Sequence, residues 1–400
     1  MSTDEILERS FDTAQRHSEQ ANLNYETLLM GAPMVVPVLA HLVALSTEQD
    51  FDLNPPRKRL GKAFQHIRHP RFSAIMIQLS DAVFQTISSA QYRMRLAKKP
   101  LDTVPRQIKM MLQVVFKVNS QERSRVEQEE LQELLRLNLE AIKDATNTAI
   151  KESKLPYSSF DSVQNLIQEV TETAHASSIV VSENMQKLQT LKSDLDQLTN
   201  TKATLEVVLK IIRKALERLS ELQANLILLA QFFQKLTDFA KTLLNHSQEQ
   251  YSESWDLEMK EGLSLTNLFK RQMMQRIKHL STNCKIMQSA ATIYVNVSQK
   301  FILPHLANLS NLHSQPKKRI MQVVNQLSKK AWVAMDEIRE IGLKGKTKLE
   351  RDMIKMMKAF ETTANKIKPR TKEEKEAEKR SQETTEKLEG NTYLSPWIKV

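Results

Sequence analysis

The chain is poor in the residues that interrupt helices and form turns. Its 400 residues include 6 glycines and 12 prolines, and aromatic side chains make up 6%. No glycine lies between Gly61 and Gly262, and no proline between Pro156 and Pro304. A sheet-rich fold needs Gly, Pro or Asn-Gly punctuation every few residues, so this scarcity excludes one. The single cysteine, Cys284, excludes an intramolecular disulfide framework. It falls on the apolar side of an expected helix and reads as a small buried hydrophobe rather than a redox or metal group. Met1 to Glu8 holds three acidic residues and no basic one, so the sequence does not open like a secretory leader. A cytoplasmic location, with membrane association as a secondary option, is the expectation.

What remains is rich in Leu, Lys, Glu, Gln and Ala, a helix-forming alphabet. The expected fold is all-α: an elongated bundle of long antiparallel amphipathic helices with coiled-coil packing and a disordered, charged C-terminal tail. Ser2 and Glu5 form a capping box that opens a helix to about Met30. Phe72, Ile75, Met76, Leu79, Val83 and Ile87 recur at helical spacing. Pro100 and Pro105 bracket a turn, and the apolar run 108–118 reads as helix. A further helix spans roughly Glu122 to Lys154 and ends before Pro156, where Pro156-Tyr157-Ser158-Ser159 reads as a turn. Later helices run from about Ser264 to Ile302, halted or kinked by Pro304, and onward from Pro316. Residues 248–262 read as a polar connection. The domain expectation is an N-terminal helix with an uncharged segment (1–50), a basic helical region (51–155), a long-helix bundle (156–366), and a charged tail with an apolar end (367–400).

The clearest pattern lies between Leu188 and Ala240. With Leu188 at position a, the d positions Leu191, Leu198, Leu205, Ile212, Leu219, Leu226, Phe233 and Ala240 are all apolar. The a positions include Leu188, Leu195 and Leu209, and this is a coiled-coil seam. Positions g turn apolar from Val208 onward, so the face broadens and suits burial among several helices. The narrow part, Leu188 to Lys202, suits a single partner helix, with a break expected near 199–202. The seam residues Leu188, Leu191, Leu195, Leu198, Leu205, Leu209 and Ile212 are therefore candidates for binding a protein partner or a second copy.

The net charge of +11 is local. Between Leu53 and Val118 there are thirteen basic residues against Asp81 and Asp102, and the rest of the chain balances. Arg57, Lys58, Arg59, Lys62, Arg68, Arg71, Arg93, Arg95, Lys98 and Lys99 are the candidate anion-facing residues. They follow a window, Thr27 to Thr47, with no charged residue. Apolar insertion beside a polybasic flank is one way to bind an anionic membrane surface. Burial in the bundle is the other reading of the window, since two prolines, a glycine and a histidine make it marginal as a span. Nucleic acid is disfavoured, because no binding module or aromatic platform accompanies the charge.

No catalytic motif is present. Gly345-Lys346-Thr347 has Glu340 where a phosphate loop needs its first glycine. His66 and His69 have no Cys or carboxylate nearby to complete a metal site. A non-enzymatic structural or interaction protein without a cofactor is the expectation, and a membrane-active helical protein is the alternative. In its arrangement of long helices and one apolar, uncharged segment, the chain resembles α-helical pore-forming cytolysins. The resemblance is one of architecture and carries over no functional residue.

Overall fold

The structure is a computed structural model that describes residues 25–53, 67, 69–117, 125–190, 196–260, 267–312 and 314–364. It is all-α, with long helices packed against each other. Among the described residues, the helices are α1 (Tyr25–Met30), α2 (Val35–Glu48), α3 (Phe72–Leu101), α4 (Val104–Lys117), α5 (Arg125–Thr190), α6 (Asp196–Lys260), α7 (Asn267–Val297), α8 (Leu303–Leu306) and α9 (Lys317–Ala364). The expected capping box at Ser2 and Glu5 and the charged tail from 367 to 400 lie outside the described residues. The chain forms two compact units. Unit 1 takes Met1–Leu101, Asn147–Lys241 and Ile286–Lys348, and unit 2 takes Asp102–Thr146, Thr242–Lys285 and Leu349–Val400.

Unit 1 is built around α2. Eleven of its fourteen residues are buried, including Val35, Leu39, Leu42 and Val43. The 3-10 turn Ala32–Met34 leads into it. Gly31 lets this entry approach α6, because an added Cβ would lie 2.7 Å from Asn225 Oδ1 and 3.1 Å from a Leu228 methyl. Across the core, Phe160 of α5 stacks on Phe233 of α6 at 5.5 Å. Tyr294 of α7 stacks on Phe232 at 5.6 Å and meets Phe233 edge-on at 4.8 Å. Such offset and edge-on pairs contribute beyond their buried area.

The start of α3 is secured from far upstream. No acidic residue occupies its first turn. Instead Asp50 accepts a hydrogen bond from Ser73 N–H (3.1 Å) and another from the Ser73 hydroxyl (2.9 Å). This serves the N-terminal amides that no helical carbonyl can reach. Leu53 N–H donates to Pro70 O, Phe72 N–H donates to Phe51 O, and the Phe51 and Phe72 rings stack at 5.0 Å.

Three expectations are corrected. α5 does not end before Pro156: it runs through that proline, which is buried inside it. Proline there forfeits one helical hydrogen bond and costs about 3 kcal/mol. Burial of the apolar Phe160 and Val163 in the turns that follow offsets the loss. Residues 199–202 are helical, since α6 begins at Asp196, and α6 extends through 248–260 in place of a loop. Pro304, by contrast, acts as expected. It has no N–H for Lys300 O, and just before it Ser298–Ile302 widens into a π segment closed by Leu303 N–H on Ser298 O.

In unit 2, Val104, Ile108, Met111 and Val114 form the buried stripe of α4, with Arg106 and Lys109 outward. Cys284 is buried as expected, and burial pushes its thiol up to about 12, against an opposing hydrogen bond from Thr146.

Candidate interaction surfaces

The second half of the heptad face is buried, as its apolar g positions indicated. From Val208 onward it is core: Val208, Leu209, Ile212, Ala215, Leu219, Leu222, Leu226, Leu229, Phe233 and Leu236 are all buried. Two residues outside the a/d/g set, Ile211 and Phe232, are buried as well, because α6 is covered on more than one side. Leu205 is half-buried. Leu191 and Leu195, and the side chains of Leu188 and Leu198, lie outside the described residues. On either side of them the burial pattern stops. Ser177 is the last buried residue described on α5, and none is buried from Ser178 to Gln186. On α6 none is buried from Thr204 to Val207. Ile179 and Val207 there are 49% and 45% exposed.

The basic block is less of a free surface than its charge implies. Arg57, Lys58, Arg59, Lys62 and Arg68 lie outside the described residues. Arg93 is engaged inside unit 1, its guanidinium 2.9 Å from the buried carboxylate of Glu152 on α5. Burying a carboxylate without a partner costs several kcal/mol, so this pair is structural. Arg71 is exposed, 3.9 Å from Asp50. Arg95 donates to the Gln299 side chain at 3.0 Å, with Lys98 and Lys99 in the last turn of the same helix. The uncharged window that precedes the block is 83% buried over its most apolar stretch. Its one imidazole, His41, donates from Nδ1–H to Pro37 O at 3.1 Å, which fixes the tautomer because a carbonyl can only accept. Burial, then the charge of Arg218, holds the His41 pKa below its usual value.

A third surface escaped the sequence reading. In unit 1, Pro33 and Val36, the π-segment residue Phe301, and Leu327, Ala331 and Ala334 of α9 enclose an open apolar groove of about 350 Å³. His305, Lys329, Lys330 and Glu337 supply its polar rim. Glu337 is neutralised by an ion pair with Lys300, which also lies over the Phe301 ring. Lys329 and Lys330 are exposed. Burial, then the charge of Lys330, keeps the His305 pKa down. Val333, which also lines the groove, is 59% exposed, and its chain neighbour Trp332 is 61% exposed. Residues 317–348 of α9 carry nine basic and three acidic side chains. That excess was legible, but the balance of the chain outside residues 53–118 averages it away.

The sequence decoys resolve simply. Residues 342–347 are helical within α9, so no phosphate-cradling loop exists there. His69 is exposed and His66 lies outside the described residues. Among the described residues, no group of three or more His, Cys, Asp or Glu side chains is placed to hold a metal ion. Compared with protein-family models, with curated proteins and with solved structures, the chain matches none.

Proposed function

We propose that this chain is a non-enzymatic helical interaction protein that binds a protein partner, or a second copy of itself, through the seam on the ends of α5 and α6. The observation that supports this reading is where burial stops. Apolar residues continue along both helices beyond Ser177 and before Val208, yet no described residue there is buried. A heptad face that continues past the buried part of its helix suits a partner helix.

Replacing Leu191 and Leu198 by Asp tests this directly. These positions precede the covered part of α6, so helix content should stay unchanged while self-association in sedimentation, or capture of a partner in pull-down, is lost. Unchanged sedimentation and pull-down behaviour would overturn the proposal. Flotation with anionic vesicles at low salt separates it from the membrane-active alternative. The buried window and the engaged Arg93 favour no flotation, whereas salt-sensitive flotation supports the membrane reading.

A further inference from the structure

Binding sites for small molecules are mostly apolar concavities of about 300–1,000 Å³, with a few polar groups that fix orientation. The groove of unit 1 has that character at the small end of the range, about 350 Å³. Its walls are side chains that the fold already holds in place. Val36 comes from α2, Phe301 from the π segment, and Leu327, Ala331 and Ala334 from α9, and all five are buried. The two alanines stand three residues apart on one side of α9, where a larger side chain at either position would project into the groove.

Charge at the rim selects the sign of the ligand. Glu337 would repel an anion, but its carboxylate is paired with Lys300. Lys329 and Lys330 are exposed, and neither has an ion-pair or hydrogen-bond partner among the described residues. At neutral pH His305 stays uncharged through burial and the nearby Lys330, which leaves one ring N–H to donate. Two ammonium groups with open donors favour a carboxylate. The walls offer only dispersion and exclusion of water, which an unbranched hydrocarbon chain can use. A helix measures about 10–12 Å across with its side chains, too thick to enter so small a groove.

We infer that this groove binds a free fatty acid of medium length, its acyl chain along Val36, Phe301, Ala331 and Ala334 and its carboxylate at Lys329 and Lys330. The ligand touches the entry to α2, the π segment and α9 together, so occupancy stabilises unit 1 by mass action. The site is separate from the seam on α5 and α6, and either can fail without the other.

The test is isothermal titration calorimetry of the full chain at neutral pH with sodium decanoate, kept monomeric below its micelle concentration. Expected is one site per chain, with octanoate about tenfold weaker, since each methylene withdrawn from an apolar site costs about fourfold in affinity. Decylammonium, with the same chain and the opposite charge, should bind about tenfold more weakly than decanoate. Lys329→Glu with Lys330→Glu should reverse that preference, and both positions are exposed, so the fold is kept. Val333→Asp, at the exposed rim, should weaken decanoate about tenfold, whereas Trp332→Ala, one residue away and outside the groove, should leave it unchanged. Leu191→Asp with Leu198→Asp, which tests the seam, should bind decanoate as the unaltered chain does. No binding at millimolar decanoate, no preference for decanoate over decylammonium, or undiminished binding by Val333→Asp would each overturn the inference.

Discussion

Tyr294→Phe should make the protein more stable. The Tyr294 ring is fully buried, and its hydroxyl has no hydrogen-bond partner among the described residues. A hydroxyl buried unpaired loses its hydration without recompense, at about 1–3 kcal/mol. The substitution removes that atom and leaves the ring where it is, so the 5.6 Å stack on Phe232 and the 4.8 Å edge contact with Phe233 persist. A gain of about 1 kcal/mol is expected, which raises the Tm by about 2–4 °C for a unit of this size. In denaturant the midpoint should rise at constant m-value. Tyr294→Ala, by contrast, leaves a cavity in the aromatic cluster and should cost about 3–5 kcal/mol. Alkaline pH gives a second arm. Burial pushes the Tyr294 pKa well above its ordinary value, so the folded chain keeps the hydroxyl protonated where the unfolded chain ionises. The contribution is complete below about pH 10 and is lost as pH rises further. A phenylalanine ring has nothing to ionise, so the advantage of the variant should widen above that pH. A loss of about 1 kcal/mol or more in Tyr294→Phe at neutral pH would refute the reasoning, because it would mean the hydroxyl makes a net favourable bond in solution.

Two further predictions concern α2 and its surroundings. Gly31→Ala should destabilise by about 1–3 kcal/mol, since its Cβ meets an Asn225 amide that is itself held by Glu221 O at 2.9 Å. Combined with Asn225→Ala it should cost less than the two single changes together, and strict additivity in a double-mutant cycle would contradict the contact. His41 and His305 both have folded-state pKa values below the unfolded one, so stability is full above about pH 6.5 and falls as acid protonates them in the unfolded chain first. His41→Gln with His305→Gln should flatten that acid limb in thermal unfolding, and an unchanged slope would exclude both groups as its source.

Helices were easier to read from the sequence than their ends. The stripes on α3, on α6 after Val208 and on α9 were legible because hydrophobic periodicity records which side a helix buries. Pro156 was misleading: local chemistry argues for a stop, and packing of Phe160 and Val163 against the bundle overrules it. Gly31 read as an interruption of an apolar window, when its use is a close approach to Asn225, which only the fold reveals. The Arg93–Glu152 pair was equally hidden, because its partners are 59 residues apart and each sits in an unexceptional charged helix. The groove draws residues from around positions 33, 301 and 330, a juxtaposition no local pattern encodes.

The attachment of Asp50, Leu53 and Phe51 to the start of α3 bears on how freely α2 can move. A span withdrawn from unit 1 would carry Asp50 away from Ser73, uncapping α3, parting Leu53 from Pro70 and unstacking Phe51 from Phe72. Lys317 adds a clasp from α9, its ammonium donating to Glu48 O at 2.9 Å. The apolar helix is therefore tied to α3 through the residues that follow it. Its release and the fraying of α3 are one event, so protection of α2 and of the first turn of α3 against hydrogen exchange should rise and fall together.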